Sequence, residues 1–248
     1  MWEAVVVGGG IAGCAVALAL ARRGALVTVV ERARVGGEAT GAAAGILAAQ
    51  QEARLSTPGF RLGLASRAFW SRFAEEVEAL ARAPLAVHWA GGLVLQFSEE
   101  ERAAAADWVA RQREAGLAAE LLEPEEAWAL EPAVATGIAS AVWHPGEGWL
   151  DAQALPEVLR SALLAVDARV LEGVVAAELL RAGGRVSGVR LADGRVLDAD
   201  VIVLAAGAWS GQVAGVPGPP LPVRPVRGQV LRYAPAPVPL RRVVADAA

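Results

Sequence analysis

Gly8, Gly10 and Gly13 punctuate the segment Val5-Val6-Val7-Gly8-Gly9-Gly10-Ile11-Ala12-Gly13, and Glu31 closes the next apolar run, Leu26-Val27-Thr28-Val29-Val30. Residues of these types at this spacing bind a dinucleotide. A strand that ends in Gly-x-Gly lets the backbone turn tightly and lets a pyrophosphate approach, because no Cβ obstructs at Gly8 or Gly10. Gly13 in turn lets the following helix pack closely on the strand. The phosphates would lie on the helix N-terminus, where unpaired N–H groups and the macrodipole favour anions. Glu31 stands where an acid takes the adenosine ribose hydroxyls. A bare Gly-x-Gly-x-x-Gly is weak in a chain rich in glycine, so the context carries the reading. Cys14 to Arg23 are strong helix formers, Gly24 ends them, and Leu26 to Val30 reads as a buried parallel strand. On these residues alone, a βαβ unit with a glycine turn and a solvated acid remains the alternative.

Composition narrows the class. The chain has 248 residues, 55% hydrophobic and 20% charged, which suits a globular protein with a large core. A net charge of −4 leaves no basic footprint, so nucleic acid is not an expected partner. The single cysteine, Cys14, excludes an internal disulfide and suits a reducing cytoplasm; its expected role is packing. With only His88 and His144 for imidazoles, no metal site is expected. His88 reads as a half-buried strand residue, and His144, before Pro145, as a loop residue. The apolar N-terminus lacks a basic leader and is broken by glycines, so it reads as strand and turn. No apolar run is long enough for a membrane helix.

The remaining elements must position the glycine motif. After Glu31, the segment Gly36 to Leu47 is rich in small residues and lets the backbone approach something flat and large. Arg61 to Ala81 reads as an amphipathic helix. Leu85 to Trp89 and Leu93 to Phe97 read as two strands joined by a glycine turn. Ser98 caps a helix running to Ala115, Pro124 opens a shorter one, and a further helix runs from Pro156 to Leu164. Ala168 to Glu172 and Val174 to Leu180 read as strands. A hairpin follows over Val186 to Leu191 and Val196 to Asp198. Asp200 to Ser210 is a buried strand ending in glycine, and a proline-rich stretch, residues 211–239, contains a strand from Val230 to Tyr233. This order predicts an α/β, Rossmann-like nucleotide-binding domain interleaved with a smaller β-rich substrate domain. The expected division is 1–82 and 145–215 for the first, 83–144 and 216–248 for the second.

Four passages carry a resemblance: Val7 to Gly13 with Glu31; Gly36 to Leu47 with its core Ala42-Ala43-Ala44-Gly45-Ile46-Leu47; Ala205-Ala206-Gly207-Ala208-Trp209-Ser210; and Pro225-Val226-Arg227-Gly228-Gln229. Together they resemble the D-amino-acid oxidase superfamily of FAD-dependent oxidoreductases, on its glycine-oxidase, thiamine-biosynthetic side. The resemblance implies FAD as cofactor, with Gly8, Gly10, Ile11, Ala12 and Gly13 at the pyrophosphate and Glu31 on the ribose with Arg32 beside it. It also implies phosphate and ribitol contacts from Ala39 and Thr40, flavin-ring contacts from Ala44, Gly45 and Ile46, an adenine-edge contact at Val175 or Ala176, and Gly207 near the cofactor. The implied reaction is oxidative deamination of a small amino acid or amine. The substrate loses hydride to the flavin, the imine hydrolyses to oxo acid and ammonia, and dioxygen becomes hydrogen peroxide. Family members continue well beyond a position like Ala248, and that stretch carries the arginine that clamps the substrate carboxylate. A second chain could supply it, a homo-oligomer being the other expected assembly; the alternative is a catalytically incompetent FAD-binding fragment. A dehydrogenase of the same superfamily is a further alternative, and the Gly36 to Leu47 segment argues against an NAD-linked one.

Overall fold

The computed structural model describes residues 1–52, 55, 57–233 and 239–246. The first strand, β1 (Trp2–Val7), runs parallel to the second, β2 (Ala25–Val30), in register from Trp2 opposite Ala25 to Val7 opposite Val30. The helix α1 (Ile11–Ala21) connects them. Ala4, Val5, Val6 and Val7 are all buried, so β1 is covered on both faces, as a central parallel strand must be. Strand Val201–Leu204 pairs with β1 on one side, and Arg169–Leu171 pairs with β2 on the other, both parallel. The resulting order, with β1 at the point where the chain switches direction across the sheet, is that of a doubly wound dinucleotide fold.

The side chains of a strand alternate between faces. Val5 and Val7, with Val30, pack against Leu179, Val189 and Leu191 of an antiparallel sheet built from Ala176–Ala182, Arg185–Leu191 and Val196–Asp198. Ala4 and Val6 therefore face the opposite side. α1 buries Gly13, Cys14, Ala17 and Leu18 and packs beside the helix Leu155–Ala165.

Two compact units emerge, each assembled from three stretches: 1–44, 75–85 and 152–230 in the first, 45–74, 86–151 and 231–248 in the second. Within the second unit, Ile46–Leu47 pairs antiparallel with Gly148–Leu150. That unit is centred on Leu93, Leu95, Leu122, Val134, Ile138 and Ala141. Its larger sheet has the order Val243–Asp246, Gly92–Gln96, Ser140–His144, Glu120–Leu122.

Two strands joined by a glycine turn stand where expected, while three other expectations, on His88, His144 and Val230 to Tyr233, need correction. The strands Val87–His88 and Gly92–Gln96 do not pair with each other, because Gly91 turns between them with φ +80° and donates its N–H to the Glu147 carbonyl at 2.9 Å. Val87–His88 pairs with Gly148–Leu150 instead, and Gly92–Gln96 with Ser140–His144. His144 ends a strand and is fully buried, whereas His88 is exposed and stacks on Trp149 at 4.1 Å between ring centroids. Residues Val230 to Tyr233 have no strand partner among the described residues, and the rest of the expected proline-rich stretch falls partly outside them.

The helix Glu99–Glu114 begins where expected, with Ser98 Oγ accepting the Glu101 N–H at 3.2 Å. Removing that acceptor leaves one N-terminal donor to solvent. Ser98→Ala is expected to cost about 1 kcal/mol, read as a lower urea midpoint at unchanged slope. No helix among the described residues is long and apolar enough to cross a membrane.

Candidate functional site

Gly8 leaves β1 at φ +109°, and a Cβ there would stand 2.3 Å from the Ala205 carbonyl oxygen. The chain can therefore turn at this point only because residue 8 has no side chain. A Cβ at Gly13 would lie 1.9 Å from the Gly8 carbonyl oxygen, so α1 rests directly on the turn. Cys14 is the first residue of α1 whose N–H bonds back along the helix, to Gly10 O at 2.9 Å. Among the donors ahead of it, Ile11 N–H meets Thr40 Oγ1 at 3.0 Å, and the first turn carries no acidic residue. An anion placed there meets the positive end of the helix without a competing carboxylate.

Glu31 ties this turn to the end of β2. Its Oε2 accepts the Gly9 N–H and its Oε1 the Ala33 N–H, each at 2.8 Å, with the residue 7% exposed. A carboxylate oxygen accepts more than one hydrogen bond, so both retain capacity toward the cavity that Glu31 lines. The Cys14 thiol donates to the Gly9 carbonyl at 3.3 Å, and burial, reinforced by the Glu31 charge, pushes it up to about 12. It stays protonated and packs.

The cavity encloses about 850 Å³ within the first unit, a size that suits a large part of a dinucleotide. Gly8 and Gly10 to Ala12 form one wall, Glu31, Arg32 and Gly36 to Thr40 the second, Val174 to Ala177 the third. Ala205 to Trp209, Gln212, Val213 and Pro225 to Arg227 complete it. The Arg32 guanidinium lies 3.6 Å from the centre of the Trp209 ring and is paired with Glu38, so its charge is partly neutralised before any ligand arrives. The turn after it is held by Glu172, which accepts the Val35 N–H at 2.8 Å and the Arg160 Nε at 3.0 Å. That N–H bond, with the Arg160 guanidinium, holds the Glu172 carboxyl below the usual carboxylate range.

Of the residues singled out by sequence, Gly8, Gly10, Ile11, Ala12, Glu31, Arg32, Ala39, Thr40, Val175, Ala176 and Gly207 converge on this cavity. Gly13 sits behind it as the packing point of α1. Ala44, Gly45 and Ile46 are not among its lining residues: the Gly45 carbonyl accepts the Leu150 N–H at 2.9 Å, and Ile46 pairs with Trp149. Gln212, Val213 and Ala177 escaped the sequence reading, since an apolar residue near the start of a strand or an amide at the end of a short helical turn carries no spacing signal. Arg227, from the Pro225 to Gln229 passage, lines the cavity, while Arg224 does not.

This donor set fits the adenosine diphosphate part of a dinucleotide: a glycine turn, a helix N-terminus, and a buried acid with acceptors to spare. The family of FAD dependent oxidoreductases designated DAO matches residues 3–247. The chain belongs to the DAO family. Its cofactor is FAD. The chain is 33% identical to a glycine oxidase of Pseudomonas putida over 93% of its own length and 62% of that protein. A glycine oxidase of Geobacillus kaustophilus is also 33% identical, over 96% of this chain and 63% of the relative. The bifunctional protein ThiO/ThiG of a Nostoc species is 30% identical over 93% of this chain and 34% of the relative. A crystal structure of the Geobacillus kaustophilus glycine oxidase superposes with a TM-score of 0.79 at 29% identity, covering 86% of this chain and 58% of that one. The chain thus spans under two thirds of the length of these relatives.

Proposed function

We propose that the cavity holds the adenosine diphosphate half of FAD, in a polypeptide of glycine-oxidase type that oxidatively deaminates glycine or a similar small amine. The products are the oxo acid, ammonia and hydrogen peroxide, with dioxygen as the acceptor. The observation that carries the reading is Glu31. Its carboxylate is fixed by the Gly9 and Ala33 N–H groups at 2.8 Å and lines the same cavity as the start of α1. Such an arrangement presents acceptors to a ribose diol and donors to a pyrophosphate side by side.

In this reading Ile11 and Ala12 meet the pyrophosphate through backbone groups. Ala39 and Thr40 continue along the phosphates and ribitol, and Val175 or Ala176 takes the adenine edge. Ala44, Gly45 and Ile46 belong to the flavin ring. The apolar wall from Val174 to Ala177 excludes water, which strengthens each polar contact made inside. Arg32, already stacked and ion-paired, presents an edge to the ribose rather than a free cation. When bound, FAD supplies the two-electron oxidant for the amine. The functional domain division retained here is 1–82 with 145–215 for cofactor and 83–144 with 216–248 for substrate. A cytoplasmic setting and a part in thiamine thiazole formation belong to the same proposal, the latter favoured by the ThiO/ThiG relatives.

Titration of the purified chain with FAD tests the reading. The expected result is quenching of flavin fluorescence with a saturable isotherm, and a chain that takes up no FAD overturns it. Glu31→Gln turns an acceptor into a donor against Gly9 or Ala33, so FAD affinity is expected to fall at least tenfold; an unchanged isotherm would remove Glu31 from the site. A second reading, an amine dehydrogenase, is favoured by the likeness to an L-proline dehydrogenase from P. horikoshii, with a TM-score of 0.68 at 26% identity. Amine-dependent peroxide release separates the two readings. Loss of FAD reduction with every small amine, despite tight FAD binding, identifies an incompetent fragment.

A further inference from the structure

The second unit buries a polar circuit that the proposed chemistry does not use. Gln50, Gln112, His144 and Glu147 are each 0 to 1% exposed. Burying four polar side chains together is costly unless each is satisfied, and here their partners run in one direction. Arg67 Nη1 donates to Gln50 Oε1 at 2.7 Å, and Gln50 Nε2 donates to Gln112 Oε1 at 2.7 Å and to the Ala118 carbonyl at 3.1 Å. Gln112 therefore turns its own Nε2 toward His144 Nε2, 3.2 Å away. That nitrogen is then the acceptor, so the His144 proton sits on Nδ1, which lies 3.9 Å from Glu147 Oε2 and has no hydrogen-bond partner among the described residues.

Glu147 is where the circuit meets the backbone. Its Oε1 accepts the N–H of Gln50 at 2.8 Å and of Gln51 at 3.3 Å, and its Oε2 accepts the Gln51 side-chain amide at 2.5 Å. Gly92 makes room for this cluster, since a Cβ there would stand 2.4 Å from Gln51 Nε2. Gln50 and Gln51 lie in the helical turn Ala49–Glu52, directly after Ile46–Leu47. Glu147 itself directly precedes Gly148–Leu150, the strand that pairs with Ile46–Leu47. One carboxylate thus fastens the far end of the segment 45–51 to the strand that also holds its near end.

We propose that Glu147 is a positioning residue for the Gly45–Leu47 segment, setting its backbone for the flavin ring. The inference rests on the reading that places Gly45 and Ile46 at that ring. A neutral side chain at 147 loses the charge that strengthens the Gln50 and Gln51 N–H bonds and can set a donor against the Gln51 amide, so the turn 49–52 loosens and Ile46–Leu47 keeps only its two-residue pairing with Trp149 and Gly148. Contacts to the adenosine diphosphate end, made by other residues, are left as they were.

The test compares FAD with ADP-ribose, which shares the adenosine and pyrophosphate but lacks the ring, on wild type and Glu147→Gln. Wild type is expected to bind FAD at least tenfold more tightly than ADP-ribose. In Glu147→Gln that ratio is expected to fall at least fivefold, while ADP-ribose binds within twofold of wild type. A variant that keeps the wild-type ratio overturns the inference and leaves the FAD site standing. Equal binding of both ligands by wild type overturns the ring contact and the inference with it.

The wild-type pH profile needs no variant and guards against misfolding of Glu147→Gln. Burial pushes the Glu147 carboxyl up to about 6, opposed by the Gln50 and Gln51 donors and by Arg67. Among the described residues, the charged or titratable groups facing it are Arg67 from the helix Pro58–Ala81 and His144 from its strand, and His144 stays neutral down to about 4. The FAD to ADP-ribose ratio is therefore expected to decline as pH falls from 7.5 to 5, and a flat wild-type profile overturns the inference.

Discussion

Gly13→Ala is expected to abolish FAD binding and to lower the stability of the chain by about 3 kcal/mol or more, at the upper end of what overpacking costs. The added Cβ would stand 1.9 Å from the Gly8 carbonyl oxygen and 3.1 Å from its carbon. Those are backbone atoms at the end of β1, and no rotamer change removes them. α1 must lift off the strand or the Gly8 turn must move, and Gly8 is already committed, because its N–H donates to Val30 O at 2.8 Å and its Cα approaches the Ala205 carbonyl. Either displacement separates the start of α1 from Glu31, so the pyrophosphate and ribose contacts cannot form together. Gly59→Ala is the matched control, since a Cβ there meets nothing within 4 Å and the residue lies in the helix Pro58–Ala81. That control is expected to be neutral or slightly stabilising, because alanine is the better helix former. Urea unfolding and FAD titration decide the matter. Gly13→Ala unfolding at the wild-type midpoint with intact FAD binding would show that close packing at residue 13 is not required.

The half of the site that sequence makes legible is the half built from local rules. Gly8, Gly13 and Glu31 declare themselves because a strand, a turn and a helix in succession leave few residue types possible at those positions; in the structure Gly13 packs on the Gly8 carbonyl and the Glu31 carboxylate accepts the Gly9 N–H. The parallel register of β1 and β2 was legible for the same reason: a run such as Val27 to Val30 is too apolar for a one-sided strand. The circuit around Glu147 was not legible. Gln50, Gln112 and His144 come from a short turn, a long helix and a strand end, and no spacing in sequence foretells that they share one interior. His144 before a proline reads as loop, and only the pairing of its strand with Gly92–Gln96 buries it. The strands around Gly91 show the same limit, since two apolar runs flanking glycines read as strands joined by a turn without showing which other strands claim each of them.

The buried imidazole makes a second large prediction, in the pH dependence of stability. Burial, aided by the Arg67 cation, pushes His144 down to about 4, against 6.5 for a free imidazole. The folded-state value is depressed, so the unfolded chain takes up a proton first as pH falls. Stability from this group is whole above pH 6.5 and drains away toward pH 4, by about 3 kcal/mol at about 1.4 kcal/mol per unit. Glu147 works in the opposite sense. Its carboxyl is raised from 4.5 to about 6, so the folded chain binds that proton more tightly, and acidification from 6 to 4.5 regains about 2 kcal/mol. Wild type is therefore expected to lose stability between pH 7 and 6, when His144 acts alone, and to change little between 6 and 4.5, when the two groups oppose each other. His144→Gln keeps an acceptor for the Gln112 amide and removes the titration. Surface carboxylates titrate alike in both proteins and cancel in the difference. The stability advantage of wild type over His144→Gln, from urea unfolding at successive pH values, should shrink by about 3 kcal/mol between pH 6.5 and 4. A difference that stays constant across that range would mean that the folded chain protonates His144 as readily as the unfolded one, and that the proton order running from Arg67 through Gln50 and Gln112 is not the one the imidazole experiences.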